Sequence, residues 1–230
     1  MTKGVRVPII SHRGLCRVTP RARRSGENTL AAFHAGLDAL AALHLPPALE
    51  FDVRRSADHI PVVIHDATLT RVFAIRGRVR RLTAAVLADY GIPTLSAVLE
   101  AFPDAECHVE VKERGLAPTV LAAIRHTHSA RRVVVSSFLW KELAAFRPHV
   151  RIALTTAFPS RRTINAAVAA DAWAVHPEHH KTTARFVAAA HAAGLRVNAW
   201  TVNTPRAYAR MVRLGVDAVF SDNPRLLVGG

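Results

Sequence analysis

The feature that most constrains this 230-residue chain is a regular alternation of short β-rich runs with longer helical stretches. Such alternation is typical of parallel βαβ units, because a parallel strand needs a long crossover to return to its sheet. The sequence predicts eight strands, at residues 7–11, 48–53, 107–112, 132–136, 151–155, 172–175, 196–201 and 217–221. Eight units in a chain of this length favour an α/β fold closed as a (β/α)8 TIM barrel.

An open, doubly wound sheet is the main structural alternative, and the first predicted turn argues against it. Strand 7–11 is followed by His-Arg-Gly-Leu-Cys. That turn lacks the GxGxxG pattern of dinucleotide-binding sheets. The closed barrel is therefore the favoured architecture.

Helices are indicated by apolar residues that recur at intervals of three and four. The first helix follows Asn28, its expected N-cap. Its apolar face is formed by Leu30, Phe33, Leu37 and Leu40. Further helices are predicted at 94–101, 116–126, 139–147, 162–170, 182–193 and 204–213. Two helices are followed by a glycine at the C′ position, Gly194 and Gly215.

The composition fits one globular domain over residues 1–230, because half of the residues are hydrophobic and no linker interrupts the pattern. The start, MTKGVRVPII, lacks the apolar core of a secretory signal. No apolar run reaches the roughly 18 residues that span a bilayer. The two cysteines, Cys16 and Cys107, indicate neither a disulfide framework nor a zinc site. We therefore expect a cytoplasmic protein.

The net charge of +14, from 31 Lys and Arg against 17 Asp and Glu, indicates attraction to anions. Phosphates, acidic membrane surfaces and nucleic acid all fit this charge. No interleaving of aromatic and basic residues marks a nucleic-acid platform, so no nucleic acid is expected. Charge alone does not choose between phosphate and membrane, and the oligomeric state is left open.

Polar residues collect where the predicted strands end, which is the edge that carries the active site in TIM barrels. The first three strands each end in charged or imidazole side chains, and a further histidine follows the apolar run 61–64. The residues are His12, Arg13, Glu50, Asp52, His65, Glu110 and Lys112.

The three acids of this set predict a metal site. In Leu-Glu-Phe-Asp-Val, residues 49–53, the period-two pattern puts Glu50 and Asp52 on the same side of a strand. Two such carboxylates repel each other and are costly to bury, so we expect a cation between them. Together with Glu110 they form an oxygen-only ligand set, which suits Mg²⁺ or Ca²⁺ better than zinc.

The remaining residues of the set predict phosphoryl chemistry. His12 and His65 beside such an ion fit an acid/base pair. Arg13 and Lys112 fit the binding of an anion, most simply a phosphate.

With these residues the chain resembles the glycerophosphodiester phosphodiesterase family. The similarity covers nearly the whole chain and consists of short motifs in a fixed order. They are His12-Arg13-Gly14, Glu27-Asn28-Thr29-Leu30, Glu50-x-Asp52, His65-Asp66 with Leu69 and Arg71, Ile92-Pro93-Thr94-Leu95, Val109-Glu110-Val111-Lys112, Trp200-Thr201-Val202-Asn203 and Ser221-Asp222-x-Pro224.

This resemblance implies a metal-dependent phosphodiesterase that hydrolyses glycerophosphodiesters to glycerol 3-phosphate and an alcohol. It implies one divalent cation held by Glu50, Asp52 and Glu110. His12 and His65 would be the catalytic acid/base pair. The substrate would be bound by Arg13, Lys112 and Trp200.

The chain departs from the family pattern in its loops. Gly26 replaces a proline, and residues 15–26 form a longer, Arg-rich loop. Asp58-His59 replaces an Asp-Gly turn and loses the glycine's easy positive φ. The segment 66–92, which forms a cap in the family, is short and predicts a reduced cap insertion.

Two rival functions remain at this point. A phospholipase D-like barrel acting on lysophospholipids or sphingomyelin shares the layout of two histidines and three acids. The Arg-rich loop could contact anionic lipid head groups, but it offers little apolar surface for an acyl chain. The second rival is a non-enzymatic barrel that binds anions, and the intact set of acids and histidines argues against it.

Overall fold

The computed structural model describes residues 7–15 and 26–228. Its strands are Ile9–His12 (β1), Ala48–Arg55 (β2), Pro61–Val63 (β3), Glu106–Val111 (β4), Val133–Ser137 (β5), Arg151–Thr156 (β6), Ala174–Pro177 (β7), Arg196–Ala199 (β8) and Ala218–Ser221 (β9). All of them except β3 are parallel and follow one another around the sheet. Because β1 pairs with both β2 and β9, the sheet closes and the predicted (β/α)8 barrel is confirmed.

The helices are Leu30–Ala42 (α1), Thr70–Phe73 (α2), Ala84–Ala88 (α3), Leu95–Ala101 (α4), Ala117–His126 (α5), Arg161–Ala169 (α6), Ala184–Ala192 (α7), Pro205–Leu214 (α8) and Arg225–Val228 (α9). Most of the helices connect consecutive barrel strands, while α2 and α3 belong to the insertion after β3 and α9 follows the last strand. Short 3₁₀ helices occupy Val79–Arg81, Trp140–Ala145 and His179–Lys181. Within the described ranges, no helix is long and apolar enough to cross a bilayer.

The predicted N-cap of α1 was wrong by one residue. Thr29, not Asn28, has the extended backbone of a cap, and its side chain accepts from Ala32 N. Asn28 has a φ of 59° and donates from Nδ2 to Asp52 Oδ2 at 3.1 Å. The sequence thus predicted that the Asn28 side chain caps the helix, whereas in the tertiary structure it binds Asp52.

The segment 139–147 also differs from its prediction as an α-helix. Its regular part is a 3₁₀ helix, Trp140–Ala145, without a side-chain cap. The Trp140 indole donates to Thr155 O at 2.8 Å, which ties this short crossover directly to β6. Apolar periodicity is satisfied by either kind of helix, so the sequence pattern could not distinguish them.

The main core lies between the barrel and its helices. Outward-facing strand residues such as Leu49, Phe51 and Val109 are fully buried against helix residues such as Phe33. Phe33 and Phe51 pack with ring centroids 5.5 Å apart. Because strand residues alternate sides, this outer packing directs Glu50, Asp52 and their neighbours into the barrel.

A cap insertion follows the second strand, as the sequence predicted. β3 pairs antiparallel with β2, and the cap continues through α2, the 3₁₀ helix Val79–Arg81 and α3. It has a small core of its own, built from Val62, Ile64, Leu69, Val79, Ala84, Leu87 and Ile92. The turn before β3 places His59 at φ 62°, so a non-glycine residue adopts the positive φ that this position requires. Cys16 and most of the Arg-rich loop lie outside the described residues.

Candidate active site

Three carboxylates converge at the C-terminal end of the barrel. Glu50 and Asp52 lie on one face of β2, and Glu110 on β4 is the register partner of Asp52. One carboxylate oxygen from each lies within 4.8 Å of the others. Glu50 Oε2 is buried and has no hydrogen-bond partner in the part of the chain that the structure describes. An oxygen-only set with a buried, unsatisfied carboxylate oxygen fits a hard divalent cation.

The two cations of the predicted set lie directly on these acids. Arg13 Nε is 3.0 Å from Asp52 Oδ2, and Lys112 Nζ is 3.0 Å from Asp52 Oδ1. Lys112 also contacts Glu110. A buried carboxylate needs an opposite charge to offset its desolvation, which explains why residues expected at a phosphate pair with Asp52.

Burial and these neighbours move the carboxylate pKa values in opposite directions. Burial, with the repulsion of Asp52, raises the pKa of Glu50 to about 8 despite the nearby His12. Burial also acts to raise the pKa of Asp52, but Arg13 and Lys112 outweigh it and hold that pKa well below its usual range. Asp52 is therefore the one of the three carboxylates whose negative charge is stabilised most strongly.

His12, at the end of β1, is bound by two acids. Its Nδ1 lies 2.5 Å from Asp222 Oδ1, and its Nε2 lies 3.6 Å from Glu50 Oε2. Asn203 holds Asp222 in turn, since its Nδ2 donates to Asp222 Oδ2 at 2.5 Å. Burial lowers the pKa of His12, but Glu50 and the hydrogen bond to Asp222 raise it more, so the net shift is upward.

His65, at the start of the cap, has a similar partner in a more open place. Its Nδ1 lies 2.6 Å from Asp66 Oδ1, and its side chain is 32% exposed against 15% for His12. Burial is the largest effect on its pKa, which is lowered. Each histidine thus has its Nδ1 within hydrogen-bond distance of a carboxylate, which fixes the orientation of the ring.

A chain of charges connects the cap to the metal-ligand candidates. Arg71 Nε donates to Asp66 Oδ2 at 2.5 Å. The other end of the Arg71 guanidinium binds Glu27, with Nη1 to Oε2 at 3.1 Å. Glu27 Oε1 lies 3.4 Å from Arg13 Nη1. The loop before α1 and the cap are therefore joined through Arg13 to Asp52.

A cavity of about 250 Å³ opens beside this network. Of the eight predicted site residues, all but Asp52 line it, and Asp52 lies behind Arg13 and Lys112. Trp200 packs edge-on against Phe138, with ring centroids 5.6 Å apart, and its indole donates to His176 O at 2.7 Å. The structure therefore brings together every residue that the sequence singled out.

Other residues of the site were quoted in the sequence motifs without a predicted role in the site. They are Glu27, Asn28, Asp66, Arg71, Asn203 and Asp222. Their presence in those motifs was the available signal. Their partners could not be read locally, because Asp222 lies 210 positions from His12 in the chain.

Comparison with known proteins gives a consistent result. The family model described as "Glycerophosphoryl diester phosphodiesterase family" matches residues 12–226. A glycerophosphodiester phosphodiesterase of Caldanaerobacter subterraneus subsp. tengcongensis is 27% identical over 243 residues, 96% of each chain. One from Bacillus altitudinis is 29% identical over 246 residues, 94% of each chain.

Solved structures agree with the fold. A glycerophosphodiester phosphodiesterase from Thermotoga maritima has a TM-score of 0.81 at 25% identity and covers 97% of this chain and 98% of its own. An Oleispira antarctica phosphodiesterase, in complex with the product sn-glycerol-3-phosphate, has a TM-score of 0.80 at 25% identity. That match covers 96% of this chain and 94% of the other.

Proposed function

The chain belongs to the glycerophosphoryl diester phosphodiesterase family and is a phosphoric diester hydrolase, and from that premise we propose that it hydrolyses glycerophosphodiesters to glycerol 3-phosphate and an alcohol. The observation that carries this proposal is a cluster of three carboxylates beside one cavity, which two of them line together with both histidines. The phospholipase D-like alternative is not favoured, because the relatives are named for glycerophosphodiesters.

Glu50, Asp52 and Glu110 would hold the divalent cation, with Mg²⁺ or Ca²⁺ proposed from their oxygen-only donor set. When bound, the ion would offset negative charge that builds on the phosphoryl oxygens. Asn28 positions Asp52 through its amide, and the contact is buried.

The two histidines would move the protons of the reaction. One takes a proton from the attacking oxygen, and the other gives a proton to the oxygen of the departing alcohol. The attacking oxygen belongs either to water or to the neighbouring glycerol hydroxyl, which would form a cyclic phosphate. Asp222 and Asp66 hold the two imidazoles by Nδ1, so that Nε2, which in His12 lies 3.6 Å from Glu50 Oε2, would be the nitrogen that takes part.

Arg13, Lys112 and Trp200 would bind the substrate. Arg13 and Lys112 line the cavity next to the acidic triad, so a phosphate placed there would lie within reach of both cations. Trp200 would form an apolar side of the same cavity. His65 directly precedes the reduced cap, 66–92, and Asp66, the first residue of that segment, would hold its imidazole in the site.

Contact of the barrel mouth with an anionic membrane surface is a further part of the proposal. Arg161, Arg185 and Arg206 are exposed in the first turns of α6, α7 and α8, where no acidic residue stands. Phe158 nearby is 72% exposed. Salt-sensitive sedimentation with phosphatidylglycerol vesicles would test this contact. The cytoplasmic location stays a prediction.

The function is tested by assaying glycerophosphocholine and glycerophosphoethanolamine with and without EDTA. We expect glycerol 3-phosphate to be released, turnover to be lost with EDTA, and Mg²⁺ or Ca²⁺ to restore it. Turnover that EDTA leaves unchanged would contradict the metal role. Faster cleavage of lysophospholipid than of glycerophosphodiester would contradict the substrate class.

A further inference from the structure

The proposed reaction leaves one side of the barrel interior unused. Strands β5 to β8 turn uncharged polar side chains inward, whereas β2 and β4 supply the three acids and β1 supplies His12. The uncharged set is Ser136, Thr155, His176 and Asn198, each at most 3% exposed. Three of the four also line the active-site cavity: Ser136, Thr155 and His176.

Thr155 is the informative member of this set. Its Oγ1 is buried and has no hydrogen-bond partner among residues 7–15 and 26–228. The next residue on the strand, Thr156, is also buried, but its Oγ1 accepts from Phe158 N at 3.1 Å. Burying a hydroxyl without a partner is unfavourable, so such groups in native proteins call for an explanation. A ligand in the cavity that Thr155 lines would supply the missing hydrogen bond.

His176 lies beside Thr155 and adds a second uncharged group. The two residues are register partners on β7 and β6. Burial, with His108 nearby, holds the pKa of His176 well below its ordinary value, so the imidazole is neutral. Asn198 Nδ2 lies 3.4 Å from His176 Nε2, and with the amide as donor the ring proton is on Nδ1.

Ser136, Thr155, His176 and Asn198 together form an uncharged wall of the barrel interior, and their chemistry indicates which kind of ligand fits it. Ser136 is the register partner of Glu110, so the uncharged wall begins where the acidic triad ends. Hydroxyls and a neutral imidazole donate and accept hydrogen bonds without charge. They suit a neutral polyol, whereas a phosphate or a quaternary ammonium group would find no opposite charge on this wall.

We propose that Thr155 and His176, with Ser136, form the subsite that binds the glycerol hydroxyls of the substrate. This inference rests on the proposed function and deepens it. It places the glycerol half of the diester inside the barrel and the leaving alcohol towards the open mouth.

The test compares binding of sn-glycerol 3-phosphate and n-propyl phosphate, which share the phosphate but differ in the two hydroxyls. Calorimetry with Mg²⁺ present is expected to show tighter binding of glycerol 3-phosphate by the wild type. Thr155→Val should weaken glycerol 3-phosphate binding about 3- to 10-fold, the value of one uncharged hydrogen bond, and leave propyl phosphate binding unchanged.

Thr156→Val is the matched control, because it removes a hydroxyl one residue away that does not line the cavity. It should lower the melting temperature and leave the preference between the two phosphates as it is. Thr155→Val should melt no lower than the wild type, since it removes a buried hydroxyl without a partner. If the Thr155 hydroxyl had only a structural role, Thr155→Val would lower the melting temperature and leave the preference between the two phosphates unchanged.

Each remaining outcome also decides the matter. Equal binding of both phosphates by the wild type, or an unchanged preference in Thr155→Val, would overturn the subsite even if the enzyme cleaves glycerophosphocholine. Should Thr155→Val fail to fold, Ser136→Ala takes its place and should lose part of the same preference. Failure to cleave any glycerophosphodiester would instead refute the proposed function.

Discussion

The two halves of the barrel interior differ in how their polar groups are satisfied. On the β1, β2 and β4 side, the charged groups contact one another. Asp52, for example, has three partners: Arg13, Lys112 and Asn28. On the β5 to β8 side, the polar groups are uncharged, and Thr155 Oγ1 and Asn198 Oδ1 have no hydrogen-bond partner within the described ranges. The first half is a network of ion pairs that leaves Glu50 Oε2 without a hydrogen bond among residues 7–15 and 26–228, and the second is a set of uncharged hydrogen-bonding groups.

This difference matches the two proposed roles, in which the charged half would carry out the reaction and the uncharged half would bind the substrate. A buried charge needs a partner at all times, because the desolvation cost of an isolated ion is several kcal/mol, about an order above RT. An unpaired buried hydroxyl costs only about 1–3 kcal/mol, which a fold can tolerate until a ligand arrives. The ion pairs of the charged half are therefore formed within the fold, whereas the proposed ligand would supply the hydrogen bonds that the uncharged half lacks. Changes to the two halves should have effects of different size and kind.

The largest effect is expected from the histidines of the charged half. His12→Ala and His65→Ala should each lower kcat on glycerophosphocholine by about 10²–10⁴-fold, because each would remove one of the two proposed proton-transfer groups. Steady-state kinetics would measure this loss. The exposed His149→Ala is the control and should keep the wild-type rate. A near wild-type rate in either site variant would remove that histidine from the mechanism.

A smaller effect is expected from the carboxylates that hold these histidines. Asp222→Asn should lower kcat about 10- to 100-fold, since one charge-assisted hydrogen bond is worth about 1.5–3 kcal/mol. Asp66→Asn should cost less, because His65 is more exposed and water can replace the lost contact.

The two variants are best compared through the ratio of their kcat values at one pH. Equal losses in the two would show that burial does not distinguish the histidines. Loss of secondary structure by circular dichroism in Asp222→Asn would indicate that Asp222 holds the fold rather than the imidazole.

The smallest effect concerns stability and lies in the uncharged half. The pKa of His176 is depressed in the fold by burial and by His108, so the unfolded chain binds a proton first as the pH falls. Above about pH 6.5, His176 is neutral in both states and does not make the free energy of unfolding depend on pH. Below that pH, the free energy of unfolding falls by about 1.4 kcal/mol per pH unit until the pKa of the folded state is reached.

Melting temperatures at pH 7.5 and pH 5 would measure this contribution. His176→Gln stays polar but does not titrate, so its melting temperature should fall less between the two pH values than that of the wild type. His149→Gln, at an exposed position, should behave like the wild type. An equal fall in wild type and His176→Gln would show that His176 does not govern acid stability.

Much of the fold and site was predictable from the sequence. The alternation of strands and helices placed both ends of each of the eight barrel strands within about two residues of the observed bounds, because periodicity is a local property of the chain. Glu50, Asp52 and Glu110 were identifiable as a cluster because parallel strands all end at one edge of a barrel. The missed β3 is three residues long, too short for period two to be recognised.

The partners of these residues were not predictable. Nothing in the sequence indicated that Arg13 and Lys112, which are predicted to bind phosphate, also pair with Asp52. Asn28 was expected to cap α1 but binds the same acid. No local pattern distinguishes Thr155 from Thr156, although one lacks a partner and the other has one. These outcomes depend on which side chains the closed barrel brings within reach.

The amino-acid order alone thus determined the barrel and the identity of its charged residues, since side-chain periodicity and strand ends are written along the chain. Only the tertiary structure determined which charged side chains pair with one another, and that the Thr155 hydroxyl has no partner in the part of the chain that the structure describes. Hydrogen bonds and ion pairs act over about 3–4 Å, and the groups they join here are as far apart in sequence as His12 and Asp222.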